Sequence, residues 1–183
     1  MIATANAALV DDAIARAYTK GLTRYTTNDE FGINRSIRRD EAAKFFVQFS
    51  NIIGQTNYVK DINQCQFSDV NNAISDLKET IIESCRLGIF NGANGKFYPA
   101  GNLTNAEAVA VLIRILYGRL PEISGPIWAI NYYNKAEKLG AFVNIDMKEE
   151  KNIAGTRGNI IKMMYSVREM RGKGEENIRD INK

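Results

Sequence analysis

The sequence predicts an all-α fold, built as three pseudo-symmetric helix-loop-helix repeats packed into one compact unit. Three observations predict it. Apolar residues recur at helical spacing along the chain, and no segment alternates as a half-buried strand does. Gly21, Gly88 and Gly140 each close an apolar stripe, at the place of a left-handed helix cap. From each glycine to the next helix opening the spacing is nearly constant: 18 positions from Gly21 to Arg39, 17 from Gly88 to Asn105, and 17 from Gly140 to Arg157. A unit this small buries too little surface alone, so the three are expected to pack on one another.

The first repeat, 7–54, opens with a helix over Ala8 to Lys20 that turns Leu9, Val10, Ala13, Ile14, Ala17 and Tyr18 to one face. A polar loop through Thr26, Asn28 and Gly32 leads to a second helix, about Arg38 to Ile53, with Ala42, Phe45, Phe46, Phe49 and Ile53 inward. The second repeat, 64–119, has a leading helix at about Asp76 to Leu87, with Leu77, Ile81, Ser84 and Cys85 on its stripe. Its loop, Asn91-Gly92-Ala93-Asn94-Gly95, is dense in turn formers. Its second helix, Asn105 to Tyr117, buries Ala108, Val111, Leu112, Ile115 and Leu116. The third repeat, 122–171, places Pro126 just inside a helix start, a favoured position for proline. Trp128, Tyr132, Lys135, Ala136 and Leu139 follow, then a loop through Asp146 and Asn152. Its second helix, Arg157 to Met170, faces Ile160, Ile161, Met164 and Tyr165 inward. Short extended pieces are expected near Phe67 to Val70. Residues 172–183 form a charged tail, and Arg168, Arg171 and Lys173 complement a helix C-terminus.

Composition excludes several function classes. Histidine is absent, which removes the commonest general base and zinc ligand. The two cysteines, Cys65 and Cys85, lack CxxC spacing, so no metal site is expected. Such a pair is a disulfide in a secreted protein or two buried thiols in a cytosolic one. The two could bridge if the start of the second repeat folds back beside its first helix. A formal charge of +3 is too weak for a nucleic-acid binder. No apolar run reaches a membrane span. Asp11-Asp12 interrupts the N-terminal apolar stretch, which does not read as a signal peptide. If it acts outside the cell, the chain is expected to be a mature piece of something longer. Asp11-Asp12 and Glu149-Glu150-Lys151 read as solvated charge, with nothing holding two carboxylates across a cleft. No enzyme and no cofactor are expected.

The middle repeat carries Phe67-Ser68-Asp69-Val70, Leu87-Gly88-Ile89, Gly95-Lys96-Phe97, Pro99 and Leu103-Thr104-Asn105-Ala106-Glu107-Ala108. The first carries Phe31, Asn34, Ile37, Arg39, Glu41 and Ala42; the third carries Trp128-Ala129, Leu139-Gly140 and Thr156-Arg157. Taken in order, these resemble the S-layer homology (SLH) domain, whose pattern has an F-x-D-V start, a Gly-Ile helix end, an F-x-P turn and an I-T-R-A-E signature. The resemblance spans roughly Leu9 to Val167. The chain departs from the pattern at Arg38, Asn105, Gly155 and Asn159, and its third loop lacks the F-x-P turn. The resemblance implies grooves between repeats that bind cell-wall polysaccharide or a peptidoglycan-linked polymer, often acidic. It implies a non-catalytic, extracellular anchoring module, expected to be monomeric. The rival reading is a structural or protein-interaction module whose degenerate grooves bind nothing.

Thr104 and Glu107 form a capping box, and Glu41 and Thr156 read as caps of the same kind. Arg39 and Arg157 fall in first helical turns, where the macrodipole disfavours a cation and capping explains nothing. Each is either a surface charge, solvated or paired with a carboxylate, or a glycan-binding donor. The resemblance favours the donor. Asp69 is a cap or an acceptor of sugar hydroxyls; Trp128 stacks on a sugar or packs in the core. Asn105 replaces a signature arginine and should bind weakly. The expected order of contribution is Arg39, then Arg157, then Asn105.

Overall fold

The computed structural model describes residues 12–54, 61–142, 145 and 152–167. The residues expected to carry the charged tail, the basic helix end, Asp11 and the Glu149-Glu150-Lys151 run lie outside them, as do most of the third loop and Leu9 and Val10. Among the described residues the fold is all-α, with no strand. In chain order the helices are α1 (residues 12–19), α2 (Asn28–Phe31), α3 (Arg39–Ile52), α4 (Lys78–Arg86), α5 (Asn105–Tyr117), α6 (Ile130–Lys138) and α7 (residues 157–167). Short 3-10 turns fill Ile62–Gln64, Val70–Asn72 and Ser75–Leu77.

The three leading helices, α1, α4 and α6, end alike. Gly21, Gly88 and Gly140 take φ of 71°, 68° and 69°, a region closed to most side chains. The next residue then donates its N–H to the carbonyl five positions back: Leu22 to Ala17, Ile89 to Ser84, Ala141 to Ala136. Each of these three residues is buried, so the cap also turns an apolar side chain into the core.

α5 is the central helix. Its expected stripe is buried, and so are Ala106, Val109, Ala110 and Ile113. A helix apolar on nearly all faces has no stable place except the interior. α6 packs against α5, and α3 packs against α4 and α5.

Several expectations are corrected. Tyr18 is exposed, because the core face of α1 is complete with Ala13, Ile14 and Ala17. The loop of the first repeat contains the unexpected helix α2, capped by Thr27. The third leading helix starts at Ile130; Pro126 lies in the turn that precedes it. Ser68 to Val70 is turn and 3-10 structure.

Extended backbone occurs instead just before α3, α5 and α7, where it closes a ring. Ile37 N–H donates to Gly155 O, Gly155 N–H to Leu103 O, and Leu103 N–H to Ile37 O. A second ring runs alongside. Arg39 N–H donates to Gly101 O, Asn105 N–H to Ile153 O, and Arg157 N–H to Arg35 O. Antiparallel bridges Ser36–Thr156, Arg38–Asn102 and Thr104–Ala154 join the same three segments. The three helix openings therefore meet, each resting on the strand-like lead of the next, and their orphan backbone donors find partners there.

Candidate functional site

The ring places a first-turn residue of each helix beside the third helical residue of the next. Arg39 of α3 reaches Glu107 of α5, and Arg157 of α7 reaches Glu41 of α3 at 3.3 Å. Both arginines are buried, and both lie over aromatic faces. The Arg39 guanidinium is 5.3 Å from the Phe97 ring centre and 5.4 Å from Phe90; that of Arg157 is 4.6 Å from Phe31. Cation–π attraction and carboxylate pairing together offset the macrodipole cost that the sequence position implies. Glu41 and Glu107 have two tasks. Glu41 accepts the Arg38 N–H and Glu107 accepts the Thr104 N–H, as helix caps do.

The two arginines differ in how far they are satisfied. Arg39 donates Nε to Phe97 O, Nη1 to Glu107 and Nη2 to Asn91 O. All three of its nitrogens are engaged. Among the described residues Arg157 makes one such contact, to Glu41, and its buried Nε finds no acceptor. Burial holds Arg157 below the usual arginine pKa; Glu41 opposes this and the nearby charge of Arg35 adds to it.

Arg157 lines a cleft of about 440 Å³ between α7, α3 and the loop after α1. Arg24, Arg35 and Lys44 bring three more cations to it, against the carboxylates of Glu41 and Asp76. Arg35 already pairs with Glu41 at 2.9 Å and is 62% exposed, so its guanidinium stays accessible. Tyr25 accepts a hydrogen bond from Arg24, which holds the phenol below its usual pKa. Phe45 and Leu77 supply apolar wall. A cation-rich, partly apolar, open cleft of this size suits a small ligand bearing an acidic group.

A second cleft, about 220 Å³, holds Arg39, Glu107, Asn91, Gly92 and Trp128. Trp128 is half-buried and packs edge-on to Tyr132, with ring centres 6.2 Å apart. It thus contributes to the core and still borders the cleft. Arg114, Arg119 and Glu122 complete the lining; Arg114 and Arg119 pair with Glu122 at 2.8 and 3.2 Å. Here each of the three cations is already paired with one of two carboxylates in the wall.

The remaining site residues are placed as follows. Asp69 accepts the backbone N–H groups of Phe97 and Tyr98, both at 2.8 Å, and makes no cap to its own 3-10 turn. Its carboxylate clasps the Phe97-Tyr98-Pro99 turn, where Tyr98 takes φ +60°, so Asp69 holds a distant turn and not the start of its own 3-10 segment. Asn105 is buried at the third helix junction, away from both clefts. Thr104 and Thr156 cap α5 and α7 by accepting the N–H of Glu107 and Asn159. Arg38 has no acceptor to offer as a cap; Asp40 accepts the Glu41 N–H instead and is held by Arg38 at 2.7 Å. Cys65 and Cys85 are joined by a disulfide, with Cα atoms 5.7 Å apart. The segment before Asp69 does fold back on α4. Among the described residues no group of three or more Cys, Asp or Glu is placed to hold a metal, and no helix is long and apolar enough to cross a membrane.

Arg24, Tyr25, Arg35 and Lys44 escaped the sequence reading. Three of them are loop residues without periodicity, and Lys44 sits on the polar side of α3. Compared with known proteins, the chain matches no protein-family model and no curated sequence.

Proposed function

We propose that this chain is a non-catalytic surface-anchoring module that holds an acidic cell-wall glycan in a cleft between its helical repeats. The carrying observation is the cleft around Arg157, where four cations converge on two carboxylates beside apolar wall. Arg157 adds its charge to those of Arg24, Arg35 and Lys44 around this cleft, which favours a carboxylate or phosphate there. The motif resemblance to SLH domains supports the same reading and an extracellular setting. The cleft order differs from the sequence expectation: Arg157 leads, because Arg39 is consumed by Glu107, Phe97 and Asn91.

One observation favours a second reading, a structural module without ligand. The signature arginines join successive helices, and such buried pairs need no glycan to explain them. Cosedimentation with purified cell-wall fragments separates the two. Anchoring predicts pelleting with intact walls and its loss after the acidic polymers are stripped. A structural module predicts no pelleting with either.

A further inference from the structure

The third junction breaks the charge rule of the other two. A first-turn arginine at 39 or 157 meets a glutamate at 107 or 41 on the next helix. The hydrogen-bonded rings relate these positions by a fixed step, and the same step carries Asn105 of α5 to Asn159 of α7. Both positions of this third pair hold asparagine. A third position differs as well. Ile37 and Leu103 stand in the inner ring where the third segment has Gly155. A Cβ on Gly155 would lie 3.0 Å from the Asn105 Oδ1, so the Asn105 amide uses the room the missing side chain leaves.

We infer that Asn105, Asn159 and Gly155 form a matched neutral replacement for the ion pair, making the third junction a fixed joint that does not recruit acidic ligands. The physical reason is burial. Asn105 is 2% exposed, and a charge there without a carboxylate opposite would be left uncompensated. Losing the arginine alone would leave a glutamate without its partner; losing both leaves a neutral joint. This does not rest on the glycan reading, since it concerns how the helices are joined.

The test is a thermal double-mutant cycle on the full chain, with Asn105→Arg, Asn159→Glu and both together. Asn159→Glu also completes a capping box with Thr156, so the informative comparison is Asn105→Arg with and without it. Alone, Asn105→Arg should lower Tm by roughly 5–10 °C. In the Asn159→Glu background it should cost less than half as much. The reference cycle, Arg39→Asn with Glu107→Asn, should couple with the same sign. If Asn105→Arg alone does not fold, rescue by Asn159→Glu supports the inference, and failure of the double variant overturns it. Equal costs in both backgrounds also overturn it, as does additivity in the reference cycle, which would remove the ion pair as the thing replaced.

Discussion

Arg157 and Glu41 stand 116 residues apart in the chain and 3.3 Å apart in the fold. The contact joins the start of the last described helix to the start of α3, so it closes the ring of helix openings. Arg39 and Glu107 make the equivalent contact between α3 and α5.

The two arginines should therefore differ in what they stabilise. Arg39→Ala removes three donors and uncovers buried carbonyls, and should cost about 3 kcal/mol. Arg157→Ala should cost roughly half that, on the same rule, because Glu41 keeps Arg35 as a partner. Urea midpoints at unchanged m-value measure both. Equal losses would contradict the difference in saturation described here.

Much of this arrangement can be read from the chain, and some cannot, for definite reasons. Helix ends at Gly21, Gly88 and Gly140 are local events, set by one residue's allowed φ, and they are visible in the sequence. The caps at Thr104 and Thr156 are equally local. Asp69 is different. Its acceptors' partners, Phe97 and Tyr98, come from a loop nearly thirty residues on, and nothing in the segment around Asp69 announces that. The burial of Ala106, Val109, Ala110 and Ile113 was signalled, since the non-apolar residues between Ala106 and Leu116 are only Glu107 and Arg114. A single-stripe reading passes over it. The cleft around Arg157 depends on which loops face each other, and that is a property of packing alone.

The disulfide should be measurable without a structure. Titration of unreduced, denatured protein should find no free thiol. The bond closes a loop with a sequence separation of 20, which the chain-entropy account values at about 3 kcal/mol. Reduction should lower Tm by roughly 6–12 °C. Two titratable thiols in fresh protein would contradict the bond.

Glu122 should give a defined acid sensitivity. Burial alone would raise its carboxyl pKa, but hydrogen bonds from Arg114 and Tyr132, the charge of Arg114 and a hydrogen bond from Arg119 outweigh burial and hold it below the ordinary value of 4.5. A depressed carboxyl pKa contributes stability that is full above the unfolded value and is lost as pH falls through the folded one. Glu122→Gln should thus lower Tm at pH 7 by a few degrees, on the order of 1 kcal/mol after discounting for its partial exposure. The gap between the two proteins should close as pH drops below the ordinary carboxylate value. A gap that stays constant down to pH 2 would rule out this ionic role.

The most direct test of acidic-glycan recognition in the Arg157 cleft is cosedimentation of Arg35→Ala/Lys44→Ala protein with unstripped wall fragments. Both residues line the cleft and are exposed, so their loss should leave the fold intact. Loss of two charge-assisted contacts, each of roughly 1.5 kcal/mol, predicts binding weakened by on the order of a hundredfold, with a shallower dependence on salt. Unchanged affinity and an unchanged salt dependence, in a variant that unfolds at the wild-type temperature, would contradict the account.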